Sequence, residues 1–504
     1  MKIAVIDVGY NSMKMVKYRA EPDASARSYG QLGFMAMLGE GLEHTGRLGV
    51  EPMSRTTDAI GICKETASLE AIDHLLLIGT SPVREASNRE EFLQRVKEET
   101  GLRMRVLTGN EEALYGFLGA ARSVGAPTAL FFDLGGGSLE ITYAERSKIR
   151  RILSLPLGAL KLTALYAGSD GRISRKGRAK MSKKIQQLLP TRRELGLDKE
   201  TVLVGTGGTV RAMARYEQYL VEYPFNKIHN YSIEYDSVQK MSRDFLGMKP
   251  EELDGIEAIG EDRSRTIAAG AMVVKLLMDQ LGFERITVST HGVRDGILTE
   301  FLARGEPAQD KMAQKEEIEK LLAPAPLAAR LAGSAELVEQ LVSKGVFDDR
   351  EGSILMTAAG KGRGQDYAEA DADALFWMLM SEDLPLSHED QLFMAMSLVR
   401  ARRPRTANWL MDRYGRLLSR GDSKMVRKMG TCLRLVEIMN LAPVQVRVTY
   451  SNGFRISVLE NGDRFPFGVA RAAADALSAS IKRPITIMAG SQRERRTEPV
   501  RARS

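Results

Sequence analysis

The sequence predicts an α/β protein in which two similar lobes face each other across a cleft, followed by a mainly helical half and a small α+β module. Three observations predict it. A unit of apolar strand, Asp, small hydrophobic residue, Gly, polar turn and returning strand occurs twice. The copies are centred on Asp7-Val8-Gly9 and Asp133-Leu134-Gly135, with the two acids 126 residues apart, and a repeat of domain size marks two related units. Between and after the copies, apolar runs of strand length alternate with helical stretches. From about Pro307 the strand signals thin out and helices rich in Leu, Met and Ala take over.

In the first copy, KIAVIDV (2–8) is a buried-strand pattern ending in Asp7, followed by the turn Gly9-Tyr10-Asn11-Ser12 and a returning strand at 13–18. A helix at 51–71 and a buried strand at 71–80 come next. Ser81-Pro82 then makes a plausible helix start. Arg84, near that start, either reaches an anion or stands solvated. A helix at 89–100 and a short strand at 104–107 lead to Thr108-Gly109-Asn110-Glu111-Glu112 and a helix at 113–122. Acids in a first helical turn ordinarily complement the dipole. Glu112, however, lies one strand–helix unit before the second copy, where its carboxylate can face the cleft and serve as a base.

The second copy, ALFFDLGGGSLEITY (129–143), is a strand, a tight turn and a strand. Consecutive glycines allow positive φ and keep side chains away, so backbone N–H groups can converge on an anion. Asp133 at the strand end and Glu140 past the turn can hold a hard cation beside it. No Lys-bearing helix follows, which excludes a Walker loop, and the spacing is not a dinucleotide fingerprint. The basic stretch 171–193 is either a solvated helix face or an electrostatic approach to the cleft. A strand at 201–204 meets Gly205-Thr206-Gly207-Gly208-Thr209 and a helix at 210–219, which makes a natural phosphate cradle. An apolar helix at 267–281, a strand at 286–289 and a helix opening at Gly292-Val293-Arg294-Asp295-Gly296 close this half.

The predicted division is two lobes at 1–125 and 126–306, a helical domain at 307–442, an α+β module at 443–490 and a disordered basic tail at 491–504. In the module, 446–459 reads as a hairpin around Asn452-Gly453. Trp377 and Trp409 are expected as core anchors. The cluster Arg400, Arg402, Arg403, Arg405, Arg413 and Arg416 is either polyanion-binding or a solvated helix edge.

The 504 residues, 43% hydrophobic and 27% charged, have the composition of an ordinary soluble multidomain protein. No apolar run approaches the ~20 residues of a membrane span, so a cytoplasmic location is expected. Cys63 and Cys432 stand alone and far apart, which argues against a disulfide framework or a zinc site. A net charge of +7 and a pI near 9.2 fit a polyanionic partner without choosing between nucleic acid, nucleotide and polyphosphate.

The motifs IDVGYNSMK, LGEGLEHTGRL, GTSPVREASN, TGNEEA, DLGGGSLE, SLPLGALKLT, GTGGT and STHGVRDGIL follow one another across 2–301. Together they resemble the exopolyphosphatase/guanosine pentaphosphate phosphohydrolase (Ppx/GppA) family, within the sugar kinase and actin-like ATPase superfamily. The resemblance implies two ribonuclease-H-like lobes that hydrolyse a terminal phosphoanhydride with magnesium. It matches Glu112 to the family's catalytic glutamate and Arg84 to a phosphate-facing arginine. It matches Asp133 and Glu140 to acids that bind the cation and position water, and Asp7 to the equivalent acid of the first lobe. Asn11, Ser12, Gly136, Gly137, Ser138, Gly207, Gly208 and Thr209 match phosphate-loop positions. A homodimer acting on polyphosphate or pppGpp is implied, rather than a nucleic-acid or membrane partner.

Several positions depart from the family pattern. Tyr10 stands where serine is usual, Lys14 and Leu114 where arginine is common, Met37 in place of an arginine before LGEG, and Arg265 at a place often acidic. Full-length relatives often carry a helical HD-type phosphohydrolase domain, and 425–440 looks like its closing helix. After residue 307 the sole histidine is His388, followed by Glu389-Asp390, an order that implies a degenerate, metal-free version. The expected function is therefore an exopolyphosphatase. The alternatives are a pppGpp 5'-phosphohydrolase or a non-catalytic polyphosphate- or nucleotide-binding regulator.

Overall fold

The computed structural model describes residues 1–20, 26–304, 315–322, 332–361, 370–441, 446–459 and 465–490. The chain divides into two compact units, Met1–Ala323 and Pro324–Ser504. The boundary expected at 306/307 and the tail expected at 491–504 lie outside the described residues.

In the first unit, β1 (Lys2–Val8), β2 (Met13–Ala20), β3 (Ala26–Phe34), β4 (His74–Gly79) and β5 (Arg105–Val106) form a five-stranded sheet of order β3-β2-β1-β4-β5. A second sheet contains β6 (Ala129–Leu134), β7 (Leu139–Glu145), β8 (Lys148–Leu155), β9 (Val202–Thr206), β10 (Ser232–Glu234) and β11 (Arg285–Val288). Its order is β10-β11-β9-β6-β7-β8. Each sheet starts with an antiparallel meander and continues with parallel strands beside the first, β1 next to β4 and β6 next to β9. This is the ribonuclease-H-like arrangement, made twice.

The internal repeat is also visible in register. Asp7 pairs with Lys14 across the first hairpin, and Asp133 pairs with Glu140 across the second. Equivalent positions thus carry a cation in one lobe and an acid in the other. Both central strands are buried along their length, as their unbroken apolar runs require.

Between the sheets lie two helices, Gly109–Val124 and Val293–Arg304. They approach closely because each has a glycine at the crossing. A Cβ on Gly119 would overlap the Gly292 carbonyl, and one on Gly296 would overlap the Tyr115 carbonyl. Phe117, Phe131, Val293 and Phe301 fill the core around this crossing. Glu112 and Arg294 are therefore carried by a tightly packed helix pair.

The basic stretch 171–193 divides into two groups. Arg178 donates through Nε to the Ile173 carbonyl at 2.8 Å and through Nη2 to the Leu246 carbonyl. Arg192 donates to the Leu281 and Asp198 carbonyls at 2.9 and 2.7 Å. These arginines bind the backbone of their own lobe, while Arg175, Lys176 and Lys180 stand exposed.

The second unit contains helices between 332 and 439, followed by the antiparallel hairpin β12 (Val446–Tyr450) and β13 (Phe454–Val458), the helix Phe467–Ile481 and β14 (Ile485–Ala489) parallel to β13. The expectation that Trp377 and Trp409 anchor the core is corrected here, since they are 47% and 53% exposed. Phe376, Leu375 and Leu379 occupy the inner face of the Trp377 helix instead. Arg413 stacks over the Trp409 ring at 5.7 Å. Arg350 donates to both oxygens of Asp422 at 3.0 Å and also pairs with Asp390.

Candidate active site

The helix Gly109–Val124 explains why one of two adjacent acids is free to act. Its N-cap, Thr108, accepts from Glu111 N, and the Glu111 carboxylate accepts from Thr108 N at 2.9 Å. Glu111 also pairs with Arg105 at 2.7 Å. The capping box thus occupies Glu111 and leaves Glu112, one position on, directed at the cleft.

There Glu112 lines a cavity of about 140 Å³ between the lobes. Asp7, Asn11, Ser12, Asp133, Gly136, Ser138, Gly207 and Gly208 are on the same wall. These come from both hairpins and from the start of the helix Gly208–Leu220, so the structure brings nine of the expected site residues to one space.

Four others sit just behind it. Arg84 donates through Nη1 to Glu112 Oε2 and to the Leu107 carbonyl, each at 2.8 Å. Glu140 is 3% exposed, accepts from Ser154 Oγ at 2.8 Å and has Arg84 Nη2 at 4.0 Å. Gly137 packs under Ser81 and Tyr10, and Thr209 is buried against Gly270. Of the three acids expected around a cation, Asp7 and Asp133 share the cavity and Glu140 does not reach its wall.

Gly207 has φ +96°, a left-handed conformation that favours glycine. A Cβ there would also lie 2.8 Å from Asp133 Oδ1. At Gly208 a Cβ would overlap the Arg263 guanidinium. This loop has no room for a side chain at either glycine.

Four cations complete the wall, namely Lys14, Arg211, Arg263 and Arg294. Burial lowers the Lys14 ammonium to about 8, helped by Arg211, Arg294 and Arg263. Burial, followed by Arg294, brings Arg211 down to about 10. Arg294 Nη1 is buried without a hydrogen-bond partner. Like charges held this close repel one another, and a multiply charged anion would relieve them.

Sequence reasoning gave no role to Arg211, Arg263 or Arg294. One signal was available for Arg211. It lies in the first turn of a helix, where the dipole disfavours a cation.

The carboxylates have the opposite bias. Burial raises Asp7, and Asp133 raises it further against the pull of Arg294 and Lys14. Burial also raises Asp133, offset by Arg211 and Arg294. Asp7 Oδ1 has no hydrogen-bond partner although it is buried. Two half-buried carboxylates, one with a buried unsatisfied oxygen, form an all-oxygen donor set that suits a hard divalent cation. Glu112 is raised to about 7 by burial, against the lowering effect of Arg84 and with Asp133 and Asp7 adding to the rise. Glu140 is raised too, by burial and then by Glu112.

Fold and site together define a two-lobed α/β protein with a cleft lined by glycine-rich loops, cations and acids. The family model for the Ppx/GppA phosphatase family matches residues 30–305, and the chain belongs to that family. It is 26% identical over 313 residues to "Exopolyphosphatase 2" of Mycobacterium tuberculosis, covering 59% of this chain and 97% of the relative. It is 27% identical over 304 residues to a "Guanosine-5'-triphosphate,3'-diphosphate pyrophosphatase" of Vibrio vulnificus, covering 60% and 59%. A crystal structure of the Aquifex aeolicus family member superposes with TM-score 0.51 at 26% identity, covering 61% of this chain and 99% of that one. An exopolyphosphatase from Cytophaga hutchinsonii shares the fold, with TM-score 0.56 at 22% identity, covering 60% and 98%. Among the described residues no helix is long and apolar enough to cross a membrane.

Proposed function

We propose that the protein is an exopolyphosphatase that removes the terminal phosphate of linear polyphosphate. One observation supports this above the others: a carboxylate raised to about 7, Glu112, faces a cavity that glycine-rich loops, four cations and the acids Asp7 and Asp133 also line. Phosphoryl transfer needs little covalent assistance, because positioning and charge neutralisation supply most of the rate.

In this reading the hairpin residues 136–138 and the loop 207–209 hold the terminal phosphoryl oxygens through backbone N–H groups. Lys14, Arg211, Arg263 and Arg294 take up the charge of that group and of the next phosphates along the chain. Glu112 accepts a proton from water placed in line with the terminal phosphorus, and Arg84 keeps its carboxylate ionised and aimed. The P–O bond to the penultimate phosphate breaks, which releases orthophosphate and a chain shorter by one. Asp7 and Asp133 would hold magnesium, which when bound neutralises charge on the phosphate oxygens.

Hydrolysis of pppGpp to ppGpp at the same site is the second reading, favoured by the name and similarity of the Vibrio relative. The degenerate, metal-free reading of the helical HD-type segment is also part of the proposal. It is supported by Glu389 accepting from Ser419 N at 2.8 Å and Asp390 pairing with Arg350.

The test is phosphate release by purified protein from long-chain polyphosphate, pppGpp and ATP, with magnesium. Release from polyphosphate is expected. Release from pppGpp alone would replace the first reading by the second, and release from none would end the hydrolase proposal.

A further inference from the structure

Tyr10 has no part in that chemistry, yet it lines the cavity and is only 3% exposed. Its backbone is fixed within the first lobe. Gly9 N donates to the Ser12 carbonyl at 3.2 Å, Gly39 N to the Tyr10 carbonyl at 3.0 Å and Met37 N to the Asn11 carbonyl at 2.9 Å. From that anchored loop the ring crosses to the other lobe and packs on its phosphate hairpin. A Cβ on Gly136 would lie 2.8 Å from Tyr10 Cβ, and one on Gly137 would lie 2.7 Å from Tyr10 Cδ2. On the near side Gly39 lies flat against the ring, where any Cβ would overlap Cε1. Three glycines from two lobes thus enclose one aromatic ring. The hydroxyl is buried and faces the Glu43 carboxylate of its own lobe. It is the ring, therefore, that carries the contact.

We infer that Tyr10 is a positioning residue for the terminal phosphoryl group, a wedge that sets the spacing between the 9–12 loop and the 135–138 hairpin. Backbone N–H groups hold an anion only when they converge, and convergence depends on the two loops staying in register. A serine here would leave a void of ring size under Gly136 and Gly137, into which the hairpin can relax. Glu112 is held by other contacts, through Arg84 and the Leu107 carbonyl. Loss of the wedge therefore weakens phosphate binding and spares the proton-transfer group. The inference rests on the cleft being the phosphate site.

The experiment compares Tyr10→Phe and Tyr10→Ser in the full-length chain. It uses steady-state kinetics on polyphosphate, and calorimetric binding of tripolyphosphate in a Glu112→Gln background. Phe should keep KM and kcat within about twofold. Ser should raise KM and the tripolyphosphate Kd about tenfold or more, with kcat within about threefold. An unchanged KM for the Ser variant overturns the inference. So does a lower kcat at unchanged KM, since that pattern reports a smaller folded fraction. If the parent enzyme neither binds nor hydrolyses these anions, the proposed function fails separately, and amide hydrogen exchange decides the wedge. Faster exchange at 135–138 with Ser but not Phe supports it, and equal exchange overturns it.

Discussion

Replacing Arg84 by Met should move the acidic limb of catalysis upward in pH. The guanidinium is 2.8 Å from Glu112 Oε2, in a place where the two side chains are only 20% and 13% exposed. It holds Glu112 near 7 against burial and the neighbouring acids. A hydrogen bond to a charged group contributes about 1.5–3 kcal/mol, and each pKa unit corresponds to about 1.36 kcal/mol. Removing Arg84 should therefore raise Glu112 by about one to two units. A base must be ionised to accept a proton, so kcat rises with pH through the pKa of Glu112. The Met variant should lose about five- to fiftyfold in kcat near neutral pH and recover most of it about two units higher. The assay is kcat at saturating polyphosphate across pH, for both enzymes. An unmoved limb, or a limb moved down, refutes the assignment. Equal loss at every pH would instead place Arg84 on the substrate.

Glu112→Gln should stabilise the protein in alkaline conditions. The folded-state pKa of Glu112 lies above its ordinary value, so stability falls as pH rises between the two and the ionised form carries the full cost above about 7. The Gln variant should gain about 3 kcal/mol near pH 8 and nothing below about pH 4.5, read from melting curves without metal. With Lys14 lowered to about 8, KM for polyphosphate should rise above that pH as the ammonium loses its proton. Lys14→Arg should abolish the rise, and a persistent rise would show that another group is responsible. Gly39→Ala should destabilise by about 1–3 kcal/mol, because its methyl overlaps the Tyr10 ring. Tyr10→Ser should relieve most of that cost in the double variant, and strict additivity of the two changes would count against the contact.

The parts of this molecule that were legible in the sequence are those in which local chemistry and tertiary position coincide. Strand–Asp–Gly–strand reads as a hairpin because the apolar run must be buried and the glycines must turn. Both hairpins are present, with Asp7 and Asp133 at equivalent register positions. The helix expected from 113 begins four residues earlier, at Gly109, because Thr108 and Glu111 form a capping box that was not recognised in the sequence.

Other features were hidden for physical reasons. β3 and β8 flank their sheets, with half-exposed faces and, in β3, two glycines that break the alternation. β10 has only three residues. Arg211, Arg263 and Arg294 meet Lys14 only once two lobes have closed on each other; a place in a first helical turn marks Arg211 as unusual but does not say what it meets. Arg265, noted as a departure from the family, lies instead beside Gly171 and Pro250, outside the cavity that Glu112 lines. The two tryptophans were misjudged because size argues for burial, whereas their helices turn other faces inward.

The central claim is that the cleft holds the phosphate chain while Glu112 activates water. It is tested most directly by measuring turnover and polyphosphate affinity together in Glu112→Gln. The account predicts a fall in kcat of about a hundredfold or more, with affinity within about threefold of the parent. Normal turnover in that variant, or turnover and affinity lost together, would contradict it.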